Sequence, residues 1–234
     1  ELMGHRVDTI VIFISPMLDN FGVKDLENEN LHKLLRVVPH IIYNFPFDIP
    51  DQKLEAKFLS LGSHLIGFSR NHIYLAFLRY LQEQNLTRIL IDEKIFALLE
   101  HSPQTTEICK LLARMQSYPN PQSGKLNENI FRLGEQLALD LLPYLTKEKF
   151  DYLITSSDGI AQGAAAVFEQ RGIRVGKDIH ILGFDKIDSL KYLKHEIATI
   201  EVPVDKMFTK LIELLEGIPL KNKAYRSHPK LHLP

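Results

Sequence analysis

A chain of 234 residues with 45% hydrophobic content can bury one large core or two modest ones. Its formal charge of −1 gives no cationic footprint for nucleic acid, and no apolar run is long enough to span a bilayer. The lone Cys109 excludes an internal disulfide and suits a reducing compartment such as the cytoplasm; no secretory signal is visible at the amino end.

Taken in chain order, the pattern predicts an α/β protein. Residues 7–14 read as a strand, and 24–35 as an amphipathic helix with Leu26, Leu31, Leu34 and Leu35 at its apolar positions. A second strand over 38–45 is ended by Pro46 and Pro50. A third covers 64–68, followed by a helix over 73–81 with Ile73, Phe77, Leu78 and Leu81 inward. Residues 87–91 open a second lobe, where helices near 105–115 and 127–142 are expected and Pro103, Pro119 and Pro121 punctuate the loops.

The most informative stretch runs from Phe150 to Asp185. Tyr152, Leu153 and Ile154 form an apolar run short enough for a buried parallel strand. Asp158 can cap the helix that follows, along which Ile160, Ala161, Ala164, Val167 and Phe168 recur at helical spacing. Gly172 sits where a left-handed C-terminal cap belongs, and 179–184 is the next strand. This is a βαβ unit whose strands end in Ser157-Asp158 and in Asp185. Parallel sheets of this kind bind ligands beyond the carboxyl ends of their strands. The sheet returns through 197–202, and Pro203 opens a final helix with Met207, Phe208, Leu211 and Leu215 inward and Gly217 as its C-cap.

Asp185 is the best ligand candidate, because a carboxylate accepts two hydroxyl or amine donors; the alternative is a turn residue bonding its own backbone. Asp158 suits a helix cap better than a ligand contact. Tyr118 and Phe131 are candidates for an aromatic wall over a sugar face, or ordinary core. Other constellations fail. His228 and His232 lie four apart with Pro229 between them and no carboxylate or cysteine following, so no metal site is expected. The segment 156–159 lacks the features of a phosphate loop or a nucleophile elbow, and the ten histidines have no paired Ser or Cys in a recognisable context. Nothing argues for catalysis, and no cofactor is implied.

Four motifs in order carry a family resemblance. Ser157-Asp-Gly-Ile-Ala-Gln-Gly-Ala164, Arg171-Gly-Ile-Arg-Val-Gly-Lys-Asp178-Ile, Leu182-Gly-Phe-Asp185 and Ala198-Thr-Ile200 with Val202-Pro203 resemble the effector domain of the lactose-repressor (LacI/GalR) family of transcription regulators. Arg6-Val7-Asp8-Thr-Ile-Val-Ile12 resembles an earlier strand of the same family. The resemblance implies a two-lobed, periplasmic-binding-protein-like α/β fold with parallel central sheets. Its lobes would comprise residues 1–86 with 196–220, and 87–195 with 221–234. The family's helix-turn-helix headpiece and its first two βα units are not found in the sequence, so the chain is expected to be a portion of a longer regulator.

The resemblance further implies a small effector (a sugar, a sugar derivative or a nucleoside) in an interlobe cleft. Asp185, Ser157, Asp158 and Tyr118 would line one side, with Arg70 and Asn71 on the other. It implies a homodimer that reaches operator DNA through a headpiece outside this sequence. The alternative is a free-standing solute-binding protein of the same fold. One departure bears on the effector. Where the family has Asp-Asn, this chain has Arg70-Asn71, which would suit an acidic or phosphorylated effector, a site that has decayed, or an arginine facing solvent.

Overall fold

The computed structural model describes residues 8–14, 28–47, 52–69, 71–86, 88–100, 115–121 and 129–234. In chain order the elements are β1 (Ile10–Phe13), α1 (Glu29–Leu35), β2 (His40–Pro46), α2 (Gln52–Ser60), β3 (His64–Phe68), α3 (Asn71–Glu83), β4 (Ile89–Asp92) and α4 (Glu93–Glu100). They continue with β5 (Met115–Tyr118), α5 (Ile130–Leu145), β6 (Tyr152–Ile154), α6 (Asp158–Gln170), β7 (His180–Phe184), β8 (Ala198–Glu201), α7 (Val204–Leu215), β9 (Ala224–Ser227) and β10 (Lys230–His232). Backbone contacts divide the chain into two compact units, Glu1–Arg70 with Pro203–His228 and Asn71–Val202 with Pro229–Pro234.

The first unit is built on a parallel sheet in the order β1-β2-β3-β9. Asn28 caps α1 by accepting from the Asn30 amide at 2.9 Å. Leu35, Leu54 and Phe58 from α1 and α2 close over Ile42, Phe45 and Leu65 of the sheet to make its core. The register of β2 slips between Tyr43 and Phe45. Asn44 absorbs the slip in a left-handed conformation (φ 62°), and its side-chain amide donates to the Ile14 carbonyl at 2.7 Å. At the amino end of the sheet, His40 Nδ1 donates to the Val38 carbonyl and Nε2 takes the Ser63 hydroxyl at 2.6 Å. This Ser–His pair, not foreseen from the sequence, is buried and its second nitrogen faces a carbonyl rather than a carboxylate, so it is a structural link.

The second unit has a six-stranded sheet in the order β10-β8-β7-β6-β4-β5, parallel except that β10 runs antiparallel to β8. The chain steps outward from β4 to β5 and then returns past β4 to β6. The strand order therefore reverses between β4 and β6, the place where open α/β sheets leave a crevice at their carboxyl ends.

Several expectations need adjustment. Ala224–Ser227 pairs in register with Leu65–Phe68, so this stretch belongs to the first unit, and only β10 of the 221–234 tail joins the second sheet. The units divide after residues 70, 202 and 228 rather than near 86, 195 and 220. The cap of α6 is Ser157, not Asp158, and Pro203 is the N-cap of α7 rather than part of its first turn. In α7, Met207 and Leu211 are buried, but Phe208 and Leu215 are 55% and 51% exposed. The helix expected near 105–115, like residues 24–27 of the first one, lies mostly or wholly outside the described residues.

The helices α5 and α6 pack backbone against backbone. A Cβ on Gly163 would lie 2.0 Å from the Phe131 carbonyl oxygen, and one on Gly134 would lie 2.2 Å from that of Ile160. Both glycines are there to let the two backbones touch. Each Gly→Ala change should force the helices apart and destabilise the protein by about 1–3 kcal/mol. Urea denaturation checks this; the same change at Gly62, which has open space around its Cβ position, should act only through its φ of +88° and be milder.

Candidate functional site

The candidate site is assembled from the carboxyl ends of β4, β5, β6 and β7. Asp92 closes β4 and is completely buried. One of its oxygens accepts from the Asn120 side-chain amide at 2.6 Å and the other from the Lys94 amide at 2.9 Å. Asn120, just past β5, is also near the Ser156 hydroxyl at 3.4 Å, and its backbone amide donates to Glu93 at 2.9 Å. Burial pushes the Asp92 carboxyl up, while these hydrogen bonds draw it back. Asp92, Asn120 and Ser156 thus form a polar bridge across the strand-order reversal between β4 and β6.

The neighbouring cluster is centred on Asp158, in the first turn of α6 and without solvent exposure. Its Oδ1 accepts from the Thr199 hydroxyl of β8 at 2.8 Å and its Oδ2 from the Ile187 amide at 2.9 Å. Burial raises its pKa from 3.8 to about 6, with the hydrogen bonds opposing and the Asp185 charge adding to the rise. Asp185 itself is exposed at the end of β7. Its amide donates to the Ile200 carbonyl at 2.8 Å, and its backbone, with that of Lys186, is left-handed (φ 101° and 54°). Lys186 Nζ is held by Glu201 at 2.9 Å.

The sequence candidates fare differently. Asp185 and Asp158 come together, and Ser157 sits beside them, buried, with its hydroxyl accepting from the Ile160 amide at 3.3 Å. Tyr118 is buried in the second core, and its hydroxyl donates to the Ile154 carbonyl at 2.7 Å. Its ring borders a cavity of about 590 Å³ between β5 and α5, walled mainly by Leu133, Leu137, Leu141 and Tyr144. Phe131 is in the first turn of α5. Arg70 lies outside the described residues; Asn71 begins α3. Sequence reasoning missed Asp92, Asn120 and Thr199. Asp92 alone left a signal, a carboxylate closing an apolar strand.

In the first unit the corresponding strand ends carry Phe13, Phe47, Ser69 and Ser227. The Ser227 hydroxyl is buried with no hydrogen-bond partner. No group of three or more His, Cys, Asp or Glu able to hold a metal occurs among the described residues, and none of their helices is long and apolar enough to cross a membrane. His232, once weighed as a metal ligand, pairs with Glu201 at 2.6 Å.

Comparison with known proteins agrees with this architecture. The model of the periplasmic binding protein-like domain matches residues 102–234, more than half of the chain. Among curated proteins, the transcriptional regulator RegA of Clostridium acetobutylicum is 34% identical over 103 residues, 42% of this chain and 30% of that protein. The ribose operon repressor of Haemophilus influenzae is 36% identical over 72 residues, 30% of this chain and 22% of the repressor. The matched stretch is thus less than a third of either relative's length. Among solved structures, the regulator GntR of Chromobacterium violaceum has a TM-score of 0.67 at 19% identity, covering 99% of this chain and 79% of that one. A LacI-family regulator of Enterococcus faecium with bound ribose has a TM-score of 0.56 at 17% identity, covering 96% and 97%. The chain belongs to the periplasmic binding protein-like domain family. Both curated relatives are regulators of transcription by name.

The buried carboxylate makes a pH prediction. Unfolded, Asp158 ionises near 3.8; folded, near 6. Its contribution to stability is therefore fully present below about pH 3.8 and is lost as pH rises through about 6, by up to roughly 3 kcal/mol. Asp158→Asn cannot titrate. Its destabilisation relative to wild type should be larger at pH 4.5 than at pH 7, measured by urea denaturation at both. An equal difference at the two pH values would mean that Asp158 ionises normally.

Proposed function

We propose that this chain is the effector-sensing and dimerising portion of a LacI-type transcription regulator that works in the cytoplasm. The observation that carries the reading is the set of polar groups at the carboxyl ends of a parallel sheet: Asp92, Asn120 and Ser156 at the strand-order reversal, and Asp185 beside them. The effector is a neutral polyhydroxylated molecule, a sugar, sugar derivative or nucleoside. Supporting this class, the exposed carboxylate at these strand ends is Asp185, and the nearby Lys186 is engaged by Glu201, an arrangement that disfavours a phosphate. The ribose held by the similar E. faecium regulator points the same way. Bound effector shifts the geometry of a homodimer, and with it the spacing of two DNA-binding headpieces on a two-fold operator. The named relatives favour this over a free-standing solute-binding protein.

A thermal-shift panel of sugars, sugar phosphates and nucleosides, followed by calorimetry, tests the effector class. Asp185→Asn keeps the shape but loses a charged acceptor, so affinity for a panel member that binds should fall about ten- to a hundredfold. Unchanged affinity would make Asp185 a turn residue only.

The DNA half of the reading has its own test. With 28 Lys and Arg balanced by 29 Asp and Glu, this portion has no net positive charge to favour displacement of phosphate counterions. The parent regulator should retard a near-palindromic operator in a gel shift at physiological salt, and residues 1–234 alone should not. Sequence-specific retardation by the isolated portion would overturn its assignment as a sensor.

A further inference from the structure

The turn after β7 is held in a shape that its own residues disfavour. Asp185 and Lys186 are consecutive non-glycine residues with φ of 101° and 54°. Left-handed backbone is unfavourable for residues with a Cβ, and two in succession persist only where the surroundings fix them. The fixing groups lie on other elements. Asp158 of α6 takes the Ile187 amide at 2.9 Å and the Thr199 hydroxyl at 2.8 Å. Thr199 in turn accepts from the Lys186 amide at 3.2 Å, and the Asp185 amide is spent on the Ile200 carbonyl at 2.8 Å.

The strand leaves room for this arrangement. A Cβ on Gly183 would sit 2.1 Å from Asp158 Oδ1, so only glycine lets the carboxylate reach across β7 to the turn. Ser157 takes over the capping of α6, which leaves both Asp158 oxygens for the neighbouring elements. The charged group acting on Asp158 is Asp185 at the end of β7; Lys186 meets it through its backbone amide and turns its Nζ to Glu201 of β8.

We propose that Asp158 is the positioning residue for Asp185: acting on the Ile187 amide directly and on the Lys186 amide through Thr199, it holds the 185–187 turn in the left-handed shape that presents Asp185 to the effector. The functional half of this inference rests on the effector-binding reading above; the structural half does not. Asp158 itself is sealed from solvent.

The test compares amide hydrogen exchange by NMR in the 234-residue chain and in Asp158→Asn, Thr199→Val and Thr199→Ser. Removing one acceptor should speed exchange at Lys186 and Ile187 by about tenfold in Asp158→Asn and Thr199→Val, with core amides such as those of β6 changing less than about twofold. Thr199→Ser restores the hydroxyl and should restore protection. Calorimetry with D-ribose, and with any other panel sugar that stabilises the chain, supplies the second readout. Binding should weaken about tenfold in Thr199→Val and recover in Thr199→Ser. Unchanged exchange at 186–187 in both Asp158→Asn and Thr199→Val overturns the positioning role, as does faster exchange in Thr199→Val with binding intact. If instead Asp185→Asn binds as wild type, or no panel member binds, the effector reading fails, and exchange alone decides whether Asp158 fixes the turn.

Discussion

A carboxylate sealed from water must be given donors by the protein around it, and the functional end of the second unit is arranged around that demand at Asp158. An unpaired buried charge would be prohibitive, so the donors are obligatory rather than incidental. They come from β8, through Thr199, and from the turn after β7, through Ile187. The same requirement explains Gly183, whose missing Cβ leaves the path open, and Ser157, which frees Asp158 from capping its own helix. Two short motifs separated in sequence, Ser157-Asp158-Gly159 and Leu182-Gly183-Phe184-Asp185, are thus the two sides of one contact. Its contribution to stability falls as pH rises through about 6; its effect on geometry is to fix where Asp185 stands.

The other motifs also turn out to be scaffold. Gly163, two residues after Ala161, exists for the approach of α6 to α5, together with Gly134. Arg171-Gly172 ends α6 with a left-handed glycine (φ 78°), and Gly176 (φ 83°) turns the chain toward β7. Asp178 braces that turn by gripping the Arg174 side chain at 2.7 and 2.8 Å and its amide at 2.9 Å, which holds the Asp178 carboxyl well below the usual range. Motifs that let helices approach and brace turns identify a fold and carry little about the ligand; Asp185 is the one motif residue exposed at a strand end of the site.

That division decides how much was legible in the sequence. The β6–α6–β7 unit, β3 and the placement of Asp185 could be read from short apolar runs and caps, since each is a local property. The helix α2 was not read, because only Leu54 and Phe58 mark its buried face. Strand β5 escaped because Gln116 and Ser117 are exposed and interrupt any apolar run, and β9 because Arg226 faces outward to Glu55. Of the site, Asp185 was visible, but the Asp92–Asn120 bond spans 28 residues and the Asp158–Thr199 bond spans 41. No periodicity reports a partner that far along the chain. The apolar face of α7 was over-read for a related reason: periodicity shows which residues share a stripe, but not how much of the stripe the sheet beneath can cover.

The uncovered part of that stripe marks a physical difference between the two units. The second unit finishes its sheet with polar edges: Gln116 reaches Glu148 beside β5, and β10 presents Lys230 and the His232–Glu201 pair. Such edges discourage pairing with another strand. The first unit does the opposite. Its edge strand β1 leaves Val11 and Phe13 41% and 59% exposed, and α7 shows solvent Val204, Phe208, Ile212 and Leu215. These four are spaced four, four and three residues apart, a single face of the helix. They are between 38% and 55% exposed, although Met207 and Leu211, one step around the same helix, are buried. A helix with two apolar faces and one sheet beneath it leaves the second face to solvent, whereas in the second unit α5 and α6 close on each other backbone to backbone.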